Sequence, residues 1–113
     1  MSETRHFLCR REDIRNGQAR GFEVGDGAAR REVIIVCHAS NFHAYMNSCP
    51  HQAMPLEILP DKFLNEDGSL LVCSTHGARF RVEDGYCVSG PCQGKSLVPI
   101  AVEIDDASVF AVG

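Results

Sequence analysis

No stretch of this sequence is apolar enough to cross a bilayer as a helix. The longest unbroken apolar run covers residues 33–37, against the roughly 20 residues that a membrane helix requires. Positive charge is not in excess either: the formal net charge is −4, which argues against nucleic acid as a partner. The opening Met1-Ser2-Glu3-Thr4-Arg5-His6 lacks the basic-then-apolar order of a secretory signal. Low-complexity tracts and internal repeats are absent, and no helical pattern is long enough for a parallel crossover. These absences leave a cytoplasmic globular chain with no membrane partner. At 113 residues it is expected to be a single domain with one modest core.

The six cysteines are therefore informative. Without a secretory signal, and with spacings unlike a disulfide framework, cysteines that share short motifs with histidines point to metal. Charge is unevenly spread. Residues 1–31 carry seven Arg against five acids, a balance of +2, and the remainder carries four basic residues against ten acids, a balance of −6. An acidic site-bearing part suits a basic docking partner, although acidic surface is more often simple solubility.

The rest of the pattern is strand-like. Residues 6–9 form a short opening strand, and Asn16-Gly17 is a turn pair. Gly21, Gly25 and Gly27 have the wrong spacing for a phosphate loop and read as turns. Residues 32–38 and 42–46 alternate or run β-branched and are expected to form a hairpin that delivers Asn47-Ser48-Cys49 to its tip. One helical turn fits within 52–59, bracketed by Pro55 and Pro60. Further strands follow at 70–72, 78–82, 86–88, 97–104 and 108–112, with Glu83-Asp84-Gly85 and Asp105-Asp106 as turns. The expectation is an all-β protein of antiparallel sheets. Residues 1–44 and 95–113 would form a base, and an insert of about 45–94 would carry the chemistry at the tip.

That chemistry lies in two stretches, Cys49-Pro50-His51 and Cys73-Ser74-Thr75-His76-Gly77. Each offers a thiolate and an imidazole one or two residues apart, the ligand types that hold zinc or an iron–sulfur cluster. The C-x-H and C-x-x-H-G motifs, followed by Gly90-Pro91-Cys92, resemble the Rieske [2Fe–2S] family. The resemblance covers roughly residues 42–100 well. It implies a Rieske-type [2Fe–2S] cluster with Cys49 and Cys73 on the inner iron and His51 and His76 on the outer one. Pro50 would stiffen the first loop, and the Gly77 N–H would be free to bond a cluster sulfide. The Gly90-Pro91 loop would shield a third side. Replacing two thiolates by neutral imidazoles removes negative charge and raises the potential above that of an all-thiolate cluster. Imidazole ligands that deprotonate more readily in the oxidised state would make the potential fall as pH rises.

The resemblance also narrows the subtype. Membrane-anchored Rieske proteins of cytochrome bc complexes carry extra loop cysteines that form a disulfide, and hydroxyls that bond cluster sulfur. Here Met54 and Thr75 stand near the cysteine positions, and Ala78 and Phe80 at the hydroxyl positions, which implies a low potential. Oxygenase α subunits often place Trp beside the second His and add a mononuclear-iron domain; this chain has no Trp. The implied function is a soluble Rieske ferredoxin, an electron carrier with no turnover of its own. It would pass single electrons from a flavoprotein reductase to an oxygenase or other terminal enzyme. The 21 residues between His51 and Cys73 exceed the family's usual gap. The extra length is expected in 61–69, with Glu66-Asp67-Gly68 as a surface turn of small energetic consequence.

Blander readings stand beside this one. Cys2His2 is a legitimate structural zinc set, and a redox-sensing or accessory subunit, such as a small nitrite-reductase-type subunit, would use the same cluster. Cys9 and Cys37 read as core. Cys87 and Cys92 read as packing residues rather than a disulfide. His6, His38 and His43 read as ordinary strand histidines, and Arg79 and Arg81 as a solvated strand face.

Overall fold

The apolar run at 33–37 becomes the centre of the molecule. The computed structural model describes residues 5–25, 30–48, 56, 63–65, 68–73 and 77–112. Among these residues the strands are β1 Arg5–Arg10, β2 Gln18–Val24, β3 Arg31–His38, β4 Asn41–Met46, β5 Leu70–Val72, β6 Arg79–Arg81, β7 Cys87–Ser89, β8 Pro99–Asp105 and β9 Ser108–Val112. A single 3-10 turn, Arg11–Asp13, follows β1. The strands form a six-stranded sheet in the order β1-β9-β8-β4-β3-β2 and a three-stranded sheet in the order β5-β6-β7. Every described pairing is antiparallel.

β3 reads as an unbroken apolar run because both of its faces are covered. Val33, Ile35 and Cys37 join Cys9 of β1, Val24 of β2, Ala44 of β4 and Val109 of β9 in one core. Since β1 and β2 are opposite edges of the sheet, that shared core shows the sheet curled on itself, nearly a barrel. Ile34 and Val36 point the other way, into a second core with Leu71, Phe80, Val82 and Leu97. That second core joins the two sheets. Each buried aliphatic or aromatic side chain stabilises by roughly 1.5–3 kcal/mol, so β3 is the strand on which both cores depend.

Three expectations are corrected. Gly21 is not a turn: it lies inside β2, opposite Ile34. The glycines and charges around it mask a strand whose existence depends on pairing with β3, a case of tertiary context overriding propensity. Gly25 does take a turn conformation, with φ +81°, and Gly27 lies outside the described residues. The β3–β4 hairpin turns at Ala39-Ser40, so Asn47 leaves from the open end of the hairpin, where its N–H donates to Glu32 O at 2.9 Å. Finally, Gly68 is buried rather than on a surface turn. A Cβ there would lie 3.2 Å from the Gly17 carbonyl oxygen. Phe63 is 1% exposed, Val72 N–H donates to Phe63 O at 2.7 Å, and Leu64 bridges Leu71. The longer gap thus adds a bridge to the small sheet and packs on the base.

The hairpin turn itself uses left-handed non-glycine residues, Ala39 at φ 51° and Ser40 at φ 66°, a conformation that costs about 1–2 kcal/mol per residue. Asn16 offsets it: its Oδ1 accepts from Ser40 N–H at 2.7 Å and from the Cys37 thiol at 3.4 Å.

Candidate metal centre

Cys73 follows directly from β5 and is fully buried. Its side chain shares a core with Ala78, Phe80, Cys87 and Cys92. The chain closes tightly around the second motif: Cys73 N–H donates to Ala78 O at 2.8 Å, and Gly77 N–H donates to Cys73 O at 2.7 Å. The second bond corrects the expectation that the Gly77 N–H is free for a sulfide. Gly77 instead supplies the left-handed turn, φ +73°, that lets the loop fold back into β6. Among the described residues a Cβ on Gly77 would meet nothing within 4 Å.

The Gly90-Pro91 loop closes on the same place. A Cβ at Gly90 would fall 2.7 Å from Ala78 Cα, so glycine is required for the loop to rest on the backbone beside the second motif. Gly90 and Pro91 are exposed while Cys92 is fully buried. Ala78 and Phe80 are also fully buried, so neither the small side chain nor the phenyl ring offers a polar group to this core. The remaining predicted site residues, Cys49, Pro50, His51 and His76, lie outside the described residues. Among the described residues no three His, Cys, Asp or Glu side chains converge as a metal site.

The other cysteines are accounted for. Cys9, Cys37, Cys73, Cys87 and Cys92 are free thiols. Burial pushes the Cys9 thiol up, aided by the nearby Asp13 charge, and burial likewise pushes Cys37 up. Both stay protonated and serve the barrel core. Cys87 donates to Ser89 O at 3.1 Å.

Around the small sheet, Arg81 forks onto the Asp84 carboxylate and stacks 5.1 Å from the centre of the Tyr86 ring. That hydrogen bond from Arg81, with a second from Tyr86 N–H, holds the Asp84 carboxyl below its usual range. His38 Nε2 lies 3.9 Å from Glu83 Oε1. His43 is pulled down by desolvation and by His38, with Glu83 opposing. His38 and His43 lie on β3 and β4 of the larger sheet.

Two residues near the site escaped the sequence reading. The side-chain Oδ1 of buried Asn47 accepts from Leu56 N–H at 2.8 Å, and Leu56 is fully buried in the core between the sheets. An Asn directly after a strand is a recognised turn signal, but its partner nine residues on is visible only in three dimensions.

Two antiparallel sheets that share a core, with a buried cysteine closed into a loop at the end of the smaller sheet, define a small all-β class of two-sheet proteins. The chain belongs to the Rieske [2Fe-2S] domain family, which it matches over residues 4–105. It is 34% identical over 96 residues to the ferredoxin component of the alkene monooxygenase system of Xanthobacter autotrophicus, covering 85% of this chain and 72% of that one. It is 35% identical over 103 residues to human Apoptosis-inducing factor 3, covering 91% of this chain and 15% of that protein. Among solved structures, a chain of the complex of reduced oxygenase and oxidized ferredoxin in carbazole 1,9a-dioxygenase superposes with TM-score 0.75 at 25% identity. The match covers 96% of this chain and 93% of that one. The ferredoxin of carbazole 1,9a-dioxygenase from Nocardioides aromaticivorans has the same fold, with TM-score 0.72 at 20% identity, covering 98% and 97% of the two chains. The chain is thus homologous to the Rieske ferredoxins of oxygenase systems and is an electron carrier.

The residues present fit a Rieske cluster. Cys73 would offer a soft thiolate donor, and among the described residues nothing lies within 4 Å of a Cβ placed on Gly77. When bound, the cluster would accept and release one electron. Among the described residues no helix is long and apolar enough to cross a membrane.

Proposed function

We propose that this chain carries single electrons from a flavoprotein reductase to the terminal component of a multicomponent oxygenase. Cys49 and Cys73 would hold the inner iron, and His51 and His76 the outer iron. The base of residues 1–44 and 95–113 and the insert of about 45–94 would act as one unit in the cytoplasm.

The observation that carries this reading is the 34% identity to a monooxygenase ferredoxin across 85% of the chain. The fully buried position of Cys73 beside the second loop supports its place in the ligand set. The absence of polar side chains at Ala78 and Phe80 favours a low potential, since a hydrogen bond to a charged group is worth roughly 1.5–3 kcal/mol.

Iron, zinc and acid-labile sulfide per chain test the cluster, and single-turnover reduction and reoxidation test the role. Two irons and two sulfides are expected, with reduction by a flavoprotein reductase and reoxidation by an oxygenase component. Zinc without sulfide, or a cluster that exchanges no electrons with either partner, would end this proposal.

A further inference from the structure

Asn47 is the buried polar side chain among the described residues, 9% exposed in a molecule whose cores are otherwise apolar. A buried amide is costly unless its partners are in place, so its position calls for a reason. Its backbone N–H is held by Glu32 O at the start of β3. Its side-chain Oδ1 holds Leu56 N–H at 2.8 Å, and Leu56 is sealed in the core between the sheets. In sequence, the segment between these anchors contains Cys49 and His51. The second motif has a comparable closure, with Cys73 bonded to both Ala78 and Gly77. The bonds that close it are between backbone groups, whereas the bond from Leu56 N–H is to a side chain.

We infer that Asn47 is a positioning residue for the first ligand segment: its Oδ1 clamps Leu56 N–H and so holds both ends of the stretch bearing Cys49 and His51. The inference rests on the proposed ligand set. Clamping the ends removes loop freedom before the cluster binds, and groups that orient metal ligands are typically worth 10–100-fold in metal retention. The role requires an acceptor at the Oδ1 position.

The test uses the full chain loaded with its cluster. Asn47→Ala should release iron to a chelator about 10-fold faster or more, and should broaden or shift the electron paramagnetic resonance signal of the reduced cluster. Asn47→Asp keeps the acceptor and should restore release and spectrum toward wild type. Asn47→Gln, which keeps the amide but displaces its oxygen, should behave like Ala and serves if the Ala variant fails to fold. Asn65→Ala is the structural control, because Asn65 Oδ1 accepts from Ser69 and Leu70 N–H in another turn. It should lower the unfolding midpoint while leaving release and spectrum unchanged. Wild-type release and spectrum in Asn47→Ala or Asn47→Gln would overturn the inference, as would an Asn65→Ala effect of equal size or a folded Asn47→Asp without rescue. Cys49→Ala tests the underlying assignment separately: an intact cluster there would remove the ligand set itself.

Discussion

The phenol of Tyr45 donates to the carbonyl oxygen of Val82 at 2.7 Å. This bond ties β4 of the large sheet to the turn that follows β6 of the small one. Gly85 in that turn is close enough that a Cβ would sit 2.8 Å from Tyr45 Cε1. The ring and the turn are therefore fitted to one another, and the sheet that carries Cys73 is pinned to the base at this point.

Tyr45→Phe keeps the ring and removes the donor, leaving the Val82 carbonyl without that partner. The expected loss is about 1–3 kcal/mol, read as a lower urea midpoint with an unchanged slope. Burial, with Asp84 and Glu83 adding to it, pushes the Tyr45 phenol up to about 12. The folded state thus favours the protonated phenol. Its contribution is complete below the ordinary value of about 10 and is lost as pH rises from there toward 12. Tyr45→Phe should flatten that alkaline loss; an identical alkaline profile in the variant would contradict this assignment.

Gly90→Ala should disturb the site from the other side. Gly90 sits at φ +94°, a left-handed position that penalises any Cβ by roughly 1–2 kcal/mol, and the added carbon would run into the Ala78 backbone. We expect a loss of at least about 1 kcal/mol, with faster cluster loss in air. Gly94→Ala is the comparison: it has a similar φ of +93° but, among the described residues, nothing within 4 Å of the added carbon. Equal effects from both would mean that backbone strain, rather than contact with Ala78, sets the outcome.

Phe80→Tyr introduces a hydroxyl into the core that contains Cys73. If it reaches cluster sulfur, the potential should rise by roughly 60–130 mV, the one-electron equivalent of about 1.5–3 kcal/mol. Voltammetry of the loaded protein decides the matter. An unchanged potential accompanied by reduced stability would show that the hydroxyl is merely buried without a partner.

His43 offers a pH signature of its own. Desolvation, with His38 beside it, holds its folded pKa below the ordinary value. The unfolded chain therefore takes up protons first on acidification, and stability falls as pH drops below about 6.5. Subtracting the unfolding free energies of His43→Gln from those of the wild type across pH 5–8 isolates this contribution (roughly the range in which histidine titrates). A difference that is flat, or that grows toward acid, would contradict it.

Much of this protein is written in short-range pattern. The β-branched run at 33–37, the alternation at 79–82 and the turn pairs each declare a strand or its end, because side-chain direction alternates with a period of two whatever lies beyond. The paired Cys and His motifs likewise declare soft-metal chemistry, since ligand type and spacing are local properties. The sequence by itself therefore determined the all-β class and the chemistry of the site.

Tertiary structure decided the rest. β2 exists because β3 lies beside it, and its own glycines and charges conceal it. Gly68 is buried because the extended gap meets Gly17, which is 51 positions earlier in the chain. The Gly77 N–H is taken by the Cys73 carbonyl, and Asn47 finds Leu56 nine residues on. Gly17 and Gly68 are far apart in sequence and Asn47 and Leu56 nine residues apart, whereas the Gly77 N–H is taken locally, by the carbonyl four residues before it. Buried polar groups must be satisfied, and which partner satisfies them is settled only when the sheets pack.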